Sequence, residues 1–310
     1  MTSPKVSTPA EDVASVKDAA QDATIKGRSR LALYRRRFFR NKMAVVGLVI
    51  FGFLVFMSLF GGFFTQWDYR QPDFMNIATG PSPEHWFGTT DAGNDLFAQT
   101  VHGLGRSLMI AVSVSLAATI ISALIGTAAA LLGGAFEQIA LTIIHFMLAI
   151  PSFLLIALLV ADSGGDWKVL IVVLILFNWV YPARVIWALA LSVKENDYVR
   201  AARFMGVGTF TTLTRHMIPN IGSLLIIQFT LSVVATVMSE TALSFLGLGV
   251  KLPDVSLGTL LSVGAGALGS APWQFYFPAI TLTLLTVSMA FIADGLRDAL
   301  DPNSKAGGKA

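Results

Sequence analysis

Six separate stretches of this chain are apolar for about twenty residues each: 43–64, 107–132, 139–161, 169–191, 221–246 and 275–296. A helix of about 20 such residues crosses a hydrocarbon layer about 30 Å thick. Inside that layer the backbone has no water to bond, so it must satisfy its own polar groups. The pattern confines the chain to one fold class, an all-α membrane protein with six transmembrane helices. Composition agrees, because 54% of the 310 residues are hydrophobic and only 13% are charged. That is about half the charged share of a soluble domain, and a soluble enzyme of this length has no way to hide so much apolar surface. The absence of Cys excludes a disulfide framework, a Cys-held metal or cluster, and a Cys nucleophile.

Charge sets the expected orientation. Ten of the 22 Lys and Arg precede the first stretch, ending in Arg35, Arg36, Arg37, Arg40 and Lys42. The apolar run after them is too long for a signal peptide and ends in Phe63, Phe64 and Trp67, so it reads as a retained anchor. With the basic end in the cytoplasm, six spans place both termini there. Eighteen cationic side chains then lie inside, and four, Arg70, Arg106, Lys168 and Lys251, lie outside. The net charge of +3 comes from the run beside the first span, so the polyanion expected is membrane lipid and not nucleic acid. A seventh apolar segment, 255–271, is interrupted by Gly258, Gly264, Gly266 and Gly269. It is expected as a short re-entrant or interfacial helix packed on protein. Residues 1–25 and 301–310 read as disordered cytoplasmic tails, 26–42 as a basic juxtamembrane segment, 65–106 as an extracytoplasmic loop, and 107–300 as a five-helix core.

The loop 195–220 inside that core carries the clearest local design. Asp197 is placed to cap a short helix in which Tyr198, Ala201, Ala202 and Met205 recur at helical spacing. Gly206 suits a left-handed turn, Thr209 is placed to cap a second short helix, and Pro219 marks the return to the membrane. The product is a helix–Gly–helix elbow. On its residues alone it is either a docking surface, with the Ala pair permitting close approach, or an amphipathic loop lying on lipid headgroups.

Within the spans, Glu240 with its neighbour Ser239 marks a gate or path position, since an intramembrane carboxyl is costly. It serves as a polar contact between helices, as part of a translocation path, or as the coupling site of a secondary ion- or proton-driven transporter. His145 is expected as a hydrogen-bonded bundle residue. Ala118, Ser122, Gly126 and Ala130 form a small-residue stripe along the second span, which packs against a partner subunit or within its own bundle. Pro151, Pro182 and Pro278 are kink positions. No phosphate-binding G-x-x-x-x-G-K-[ST] loop, metal-site motif or catalytic triad occurs. The chain is therefore expected to be a non-enzyme that binds no ATP, metal or other cofactor itself.

Ala201, Ala202, Gly206, Ile218 and Pro219 match the E-A-A-x-x-x-G…I-x-L-P motif of ABC importer permeases, Ala201 to Gly206 at its spacing, and the chain resembles that family. Arg200 departs from the pattern, standing where the motif has its acidic residue. RRRFFRNKMAVVGLVIF, FGTTDAGNDLFAQTVHGLGRSL (with Asn94 for the usual Arg), SETALSFLGLGV and GLRDALDP are similar to the "C" type of dipeptide and oligopeptide permease, over about residues 30–302. The resemblance implies a type I importer permease in a prokaryotic inner membrane. It implies a second, different permease, two ATP-binding subunits that hold ATP and Mg, and an extracytoplasmic substrate-binding protein. It also assigns ATPase coupling to Tyr198, Ala201, Ala202, Arg203, Gly206, Arg215, His216 and Pro219. Peptides are the implied substrate, with haem, glutathione, opines or metal chelates as the alternatives known for such permeases.

Overall fold

The computed structural model describes residues 30–300; the two tails expected to be disordered lie outside the described residues. A short basic helix, α1 (Arg30–Arg40), leads into α2 (Lys42–Phe60), which ends in a 3-10 turn, Gly61–Phe64. Asn41 separates the two. Its Oδ1 accepts from the backbone N–H groups of Met43 and Ala44, and its Nδ2 donates to Asp298 at 3.1 Å. One side chain thus starts the first span and ties it to the end of the last.

After a loop the chain enters α3 (Leu96–Leu132), a single helix of 37 residues. It starts well before the predicted 107 because Asp95 caps it, Oδ1 accepting from the Ala98 N–H at 2.7 Å, and because Leu96, Phe97 and Leu104 are buried. At 1.5 Å per residue it spans about 55 Å, so its first turns stand clear of the hydrocarbon.

The third predicted span is two helices, α4 (Gly134–Ala149) and α5 (Ser152–Ala161), bent by 79°. Ile150 between them is extended at φ −89°, ψ 137°, as the residue before a proline prefers. The fourth span is α6 (Trp167–Asn178) and then α7 (Val180–Lys194), with an interruption at Trp179. Pro182 has no N–H to close the turn onto Asn178. The elbow helix α8 (Asp197–Phe204) precedes α9, the helical stretch Thr209–Phe245. A short helix, α10 (Leu257–Gly266), and α11 (Trp273–Leu300), which continues through Pro278, complete the described residues. Five helical stretches, with the bent pair as a sixth, are long and apolar enough to span a membrane, so the six predicted spans are accounted for. Among the described residues the only β pairing is two isolated bridges in the 65–95 loop.

The predicted re-entrant segment is α10, with Leu257, Leu260 and Leu261 buried against protein. The small-residue stripe is resolved too. Ala118, Ser122 and Ala130 are buried within this chain, and a Cβ on Gly126 would lie 2.6 Å from the Ala183 carbonyl oxygen of α7. The stripe therefore serves the chain's own bundle. Replacing Gly126 with Val should force α3 and α7 apart and cost about 1–3 kcal/mol, read as a lowered melting temperature of the purified protein. An unchanged melting temperature would refute the close approach.

Candidate functional site

Two ends of the bundle carry the side chains of interest. At one end, α8 is preceded by Asn196, extended at φ −64°, ψ 140°, and no side chain caps it. The expected Asp197 cap is thus displaced by one residue. Asp197 is the first helical residue, where its charge complements the helix dipole, and the Asn196 amide instead donates to the Tyr198 hydroxyl at 3.1 Å. The C-terminal end matches the prediction closely. Gly206 has φ +79°, its N–H bonds the Arg203 carbonyl, and the Val207 N–H reaches the Ala202 carbonyl, both at 3.0 Å. This pair of bonds is a Schellman closure. A Cβ on Gly206 would meet nothing within 4 Å, so glycine is required there by backbone conformation alone.

Thr209 is likewise the first helical residue after Gly208 and not a cap. The expected second short helix does not stand apart. From Thr209 the chain runs through a π-helical segment, Thr212–Met217, and a 3-10 turn, Ile218–Ile221, directly into the span. Pro219 sits in that turn, where a missing N–H is tolerated.

The face that roots the elbow also differs from expectation. Val199 and Ala202 are buried, while Tyr198, Ala201 and Met205 are exposed. Val199, Leu213 and Met217 join Ala123, Ala130 and Leu131 of α3 and Ile186, Ala190 and Val193 of α7 in one apolar cluster. Ala202 is thus spent inward, and only Ala201 of the pair faces out, with Arg203, Arg215 and Pro219; His216 is half-buried. The sequence reading missed the elbow's two most exposed aromatic side chains, Phe204 and Phe210, at 86% and 75% beside Met205 at 77%. The available signal was two Phe flanking a Gly turn in a segment otherwise rich in Arg and Thr.

Toward the opposite end, Glu240 is fully buried in a polar knot. The Ser107 hydroxyl donates to its Oε2 at 3.2 Å and the Ser244 hydroxyl to its Oε1 at 2.7 Å. Each serine in turn accepts a backbone N–H, that of Leu257 at 3.2 Å and that of Val250 at 3.3 Å. One carboxyl group thereby joins α3, α9 and the start of α10. Ser239 is half-buried beside it. His145 is exposed and its ring has no hydrogen-bond partner among the described residues, which corrects its expected place inside the bundle.

Two further knots were not foreseen. His85 is buried with Nδ1 2.9 Å from Asp95 Oδ2 and Nε2 3.4 Å from Asp73 Oδ2, and Trp67 stacks on its ring. Asp254 lies 2.7 Å from Arg106 and 2.8 Å from His102, fixing the loop before α10 to α3. The Asn76 amide beside Asp73, with the Met75 N–H and His85, holds the Asp73 carboxyl below its ordinary value.

Comparison with known proteins places this architecture. Residues 118–305 match the family model described as "Binding-protein-dependent transport system inner membrane component". The chain belongs to this family. Residues 29–81 of the permease also match the N-terminal transmembrane domain of oligopeptide transport permease C. It is 38% identical over 280 residues to the oligopeptide transport system permease protein OppC of Mycobacterium bovis, covering 89% of this chain and 96% of that one. It is 34% identical to OppC of Bacillus subtilis, covering 91% and 94%. It is also 34% identical to the dipeptide transport system permease protein DppC of the same organism, covering 86% and 84%. The permease is a multi-pass membrane subunit of a transport complex, and nothing in these likenesses favours the ion-coupled use of Glu240.

Glu240→Leu should strand two serine hydroxyls and lower stability by about 1–3 kcal/mol, with Glu240→Gln less damaging, both read by thermal melting. Equal melting of E240L and the parent would contradict the knot's role. Because the Asp73 carboxyl is held low in the folded protein, its support is present above the ordinary Asp range and is lost as pH falls below about 4. Asp73→Asn should flatten the acid response of Trp67 fluorescence, and an unchanged acid limb would contradict this.

Proposed function

We propose that the permease is one of two different membrane subunits of an ATP-driven ABC importer for short peptides in a prokaryotic cytoplasmic membrane. The oligopeptide and dipeptide names of its relatives support the substrate class. In this reading both termini and the α8 elbow are cytoplasmic. Two separate subunits bind ATP and Mg, and an extracytoplasmic protein delivers peptide to the end bearing the 65–95 loop.

The observation that carries the reading is the elbow's construction. Phe204, Met205 and Phe210 project with little cover from the described residues, while Val199, Leu213 and Met217 root the same segment in α3 and α7. Fully burying such a side chain yields about 1.5–3 kcal/mol. Three of them match the roughly 5.5 kcal/mol needed to drive a two-state bundle from one orientation to the other. An ATPase groove closing on these side chains would move α8. The shared cluster would pass that motion to α3, α7 and the foot of α9, turning the path from inward-facing to outward-facing.

Proline at position 206 cannot adopt φ +79° and loses the N–H bonded to Arg203. Gly206→Pro should therefore abolish peptide uptake while the chain still inserts and is found in the membrane fraction. Wild-type uptake by this variant would overturn the coupling role.

A further inference from the structure

Two spans are interrupted near their middles, and the unbroken α9 passes beside both interruptions. Ile150 and Ser152 at the α4/α5 break, Asn178 and Val180 on either side of the α6/α7 interruption, and Gln228 and Ser232 in the middle turns of α9 line one open cavity of about 400 Å³. Each lies near the midpoint of its span. Irregular backbone is tolerated at that depth only against protein or a water-filled space, and discontinuous spans are a recurrent way of building a solute site. The polar lining is Ser152, Asn178, Tyr181, Gln228 and Ser232, without a single charged residue. Asn178 spends its amide on the Leu174 carbonyl at 2.9 Å. The Ser152 and Ser232 hydroxyls, the Tyr181 hydroxyl and the Gln228 carboxamide have no hydrogen-bond partner among the described residues. Gln228, Ser232 and Ala235 recur at helical spacing on one face of α9, on a different stretch from Glu240.

We propose that this cavity is the permease's half of a mid-membrane solute site, with Gln228 and Ser232 contacting the main-chain amides of the passing peptide. The inference rests on the peptide-importer reading and deepens it. Unpaired side-chain dipoles in a hydrocarbon layer call for an occupant that can bond them, which lipid tails cannot do. A neutral carboxamide that both donates and accepts fits a peptide group. Being uncharged and mostly apolar, the lining fits the one feature that peptides of different sequence share, and the volume lies in the ordinary range for small-ligand sites.

The chain's lack of Cys permits a direct test in the assembled importer. Ser232→Cys and, as a lipid-side control, the exposed Val49→Cys are treated in native membranes with a charged, water-borne methanethiosulfonate, with and without trialanine, and labelling is read on this chain alone. The proposal expects Ser232→Cys to label, V49C to remain unlabelled, and trialanine to slow the labelling. Gln228→Leu should raise the KM for trialanine uptake about fivefold or more, and Gln228→Asn should recover part of it. If S232C is as silent as V49C, lipid or a partner helix covers the cavity and the proposal is wrong. It is also wrong if Q228L assembles and transports with the wild-type KM. Should Q228L fail to assemble, the labelling result decides alone. If the unmodified importer takes up no peptide, the peptide-importer reading itself fails, an outcome distinct from either of these.

Discussion

The close approach of α3 to its neighbours is the constraint on which the rest of the molecule depends. In a bilayer, helices gain little by hiding apolar surface from lipid, so contact must come from packing and from interhelical hydrogen bonds. α3 supplies both. It touches a helix of every other span. Gly126 and its small neighbours admit the α7 backbone, and Ser115 meets Thr236 of α9 at 3.4 Å. Ser107, nearer its capped end, donates to Glu240. The small residues hold one half of α3 and the polar ones the other.

This division gives the two ends of the permease different mechanical characters. At the Glu240 end, α3, α9 and α10 are joined by a carboxyl and two serines whose bonds are all directed. The neighbouring loops are pinned by Asp254 and His85. At the elbow end, among the described residues, α8 and the foot of α9 are held on α3 and α7 mainly by apolar contact, through Val199, Leu213 and Met217. Apolar contact is non-directional, so the elbow can shift against α3 and α7 without leaving buried polar groups unpaired. The α4/α5 break and the Trp179 interruption lie between these ends, where a bundle rocking about its fixed end would bend.

The spans were legible because hydropathy over twenty residues averages out local detail. Gly206 was legible for a different reason, since a lone Gly after a helical period has few other uses. The start of α3 was missed because Gln99, Thr100, His102 and Arg106 interrupt the apolar run. Their burial depends on loop residues distant in sequence, such as Asp254. Asp197 and Thr209 were each placed one residue off because Asn196 and Gly208 before them satisfy the same local rules. The inward face of α8 was misread because the side that finds apolar partners is decided by α3 and α7. The same is true of Glu240, whose hydroxyl partner Ser107 is 133 positions away. Pattern reaches as far as one element, and what one element does to another is settled by packing.

The central claim is that the α8 elbow is the surface on which an ATP-hydrolysing partner pulls. The most direct measurement places a photo-reactive benzoylphenylalanine at Phe204 in the intact membrane complex and identifies the polypeptide joined to it by light. The account predicts a single dominant crosslink to an ATP-binding subunit, with a yield that changes when ATP is trapped by vanadate. Crosslinks to lipid alone, with no ATP-binding polypeptide attached, would contradict it and leave the elbow as an amphipathic segment resting on the membrane.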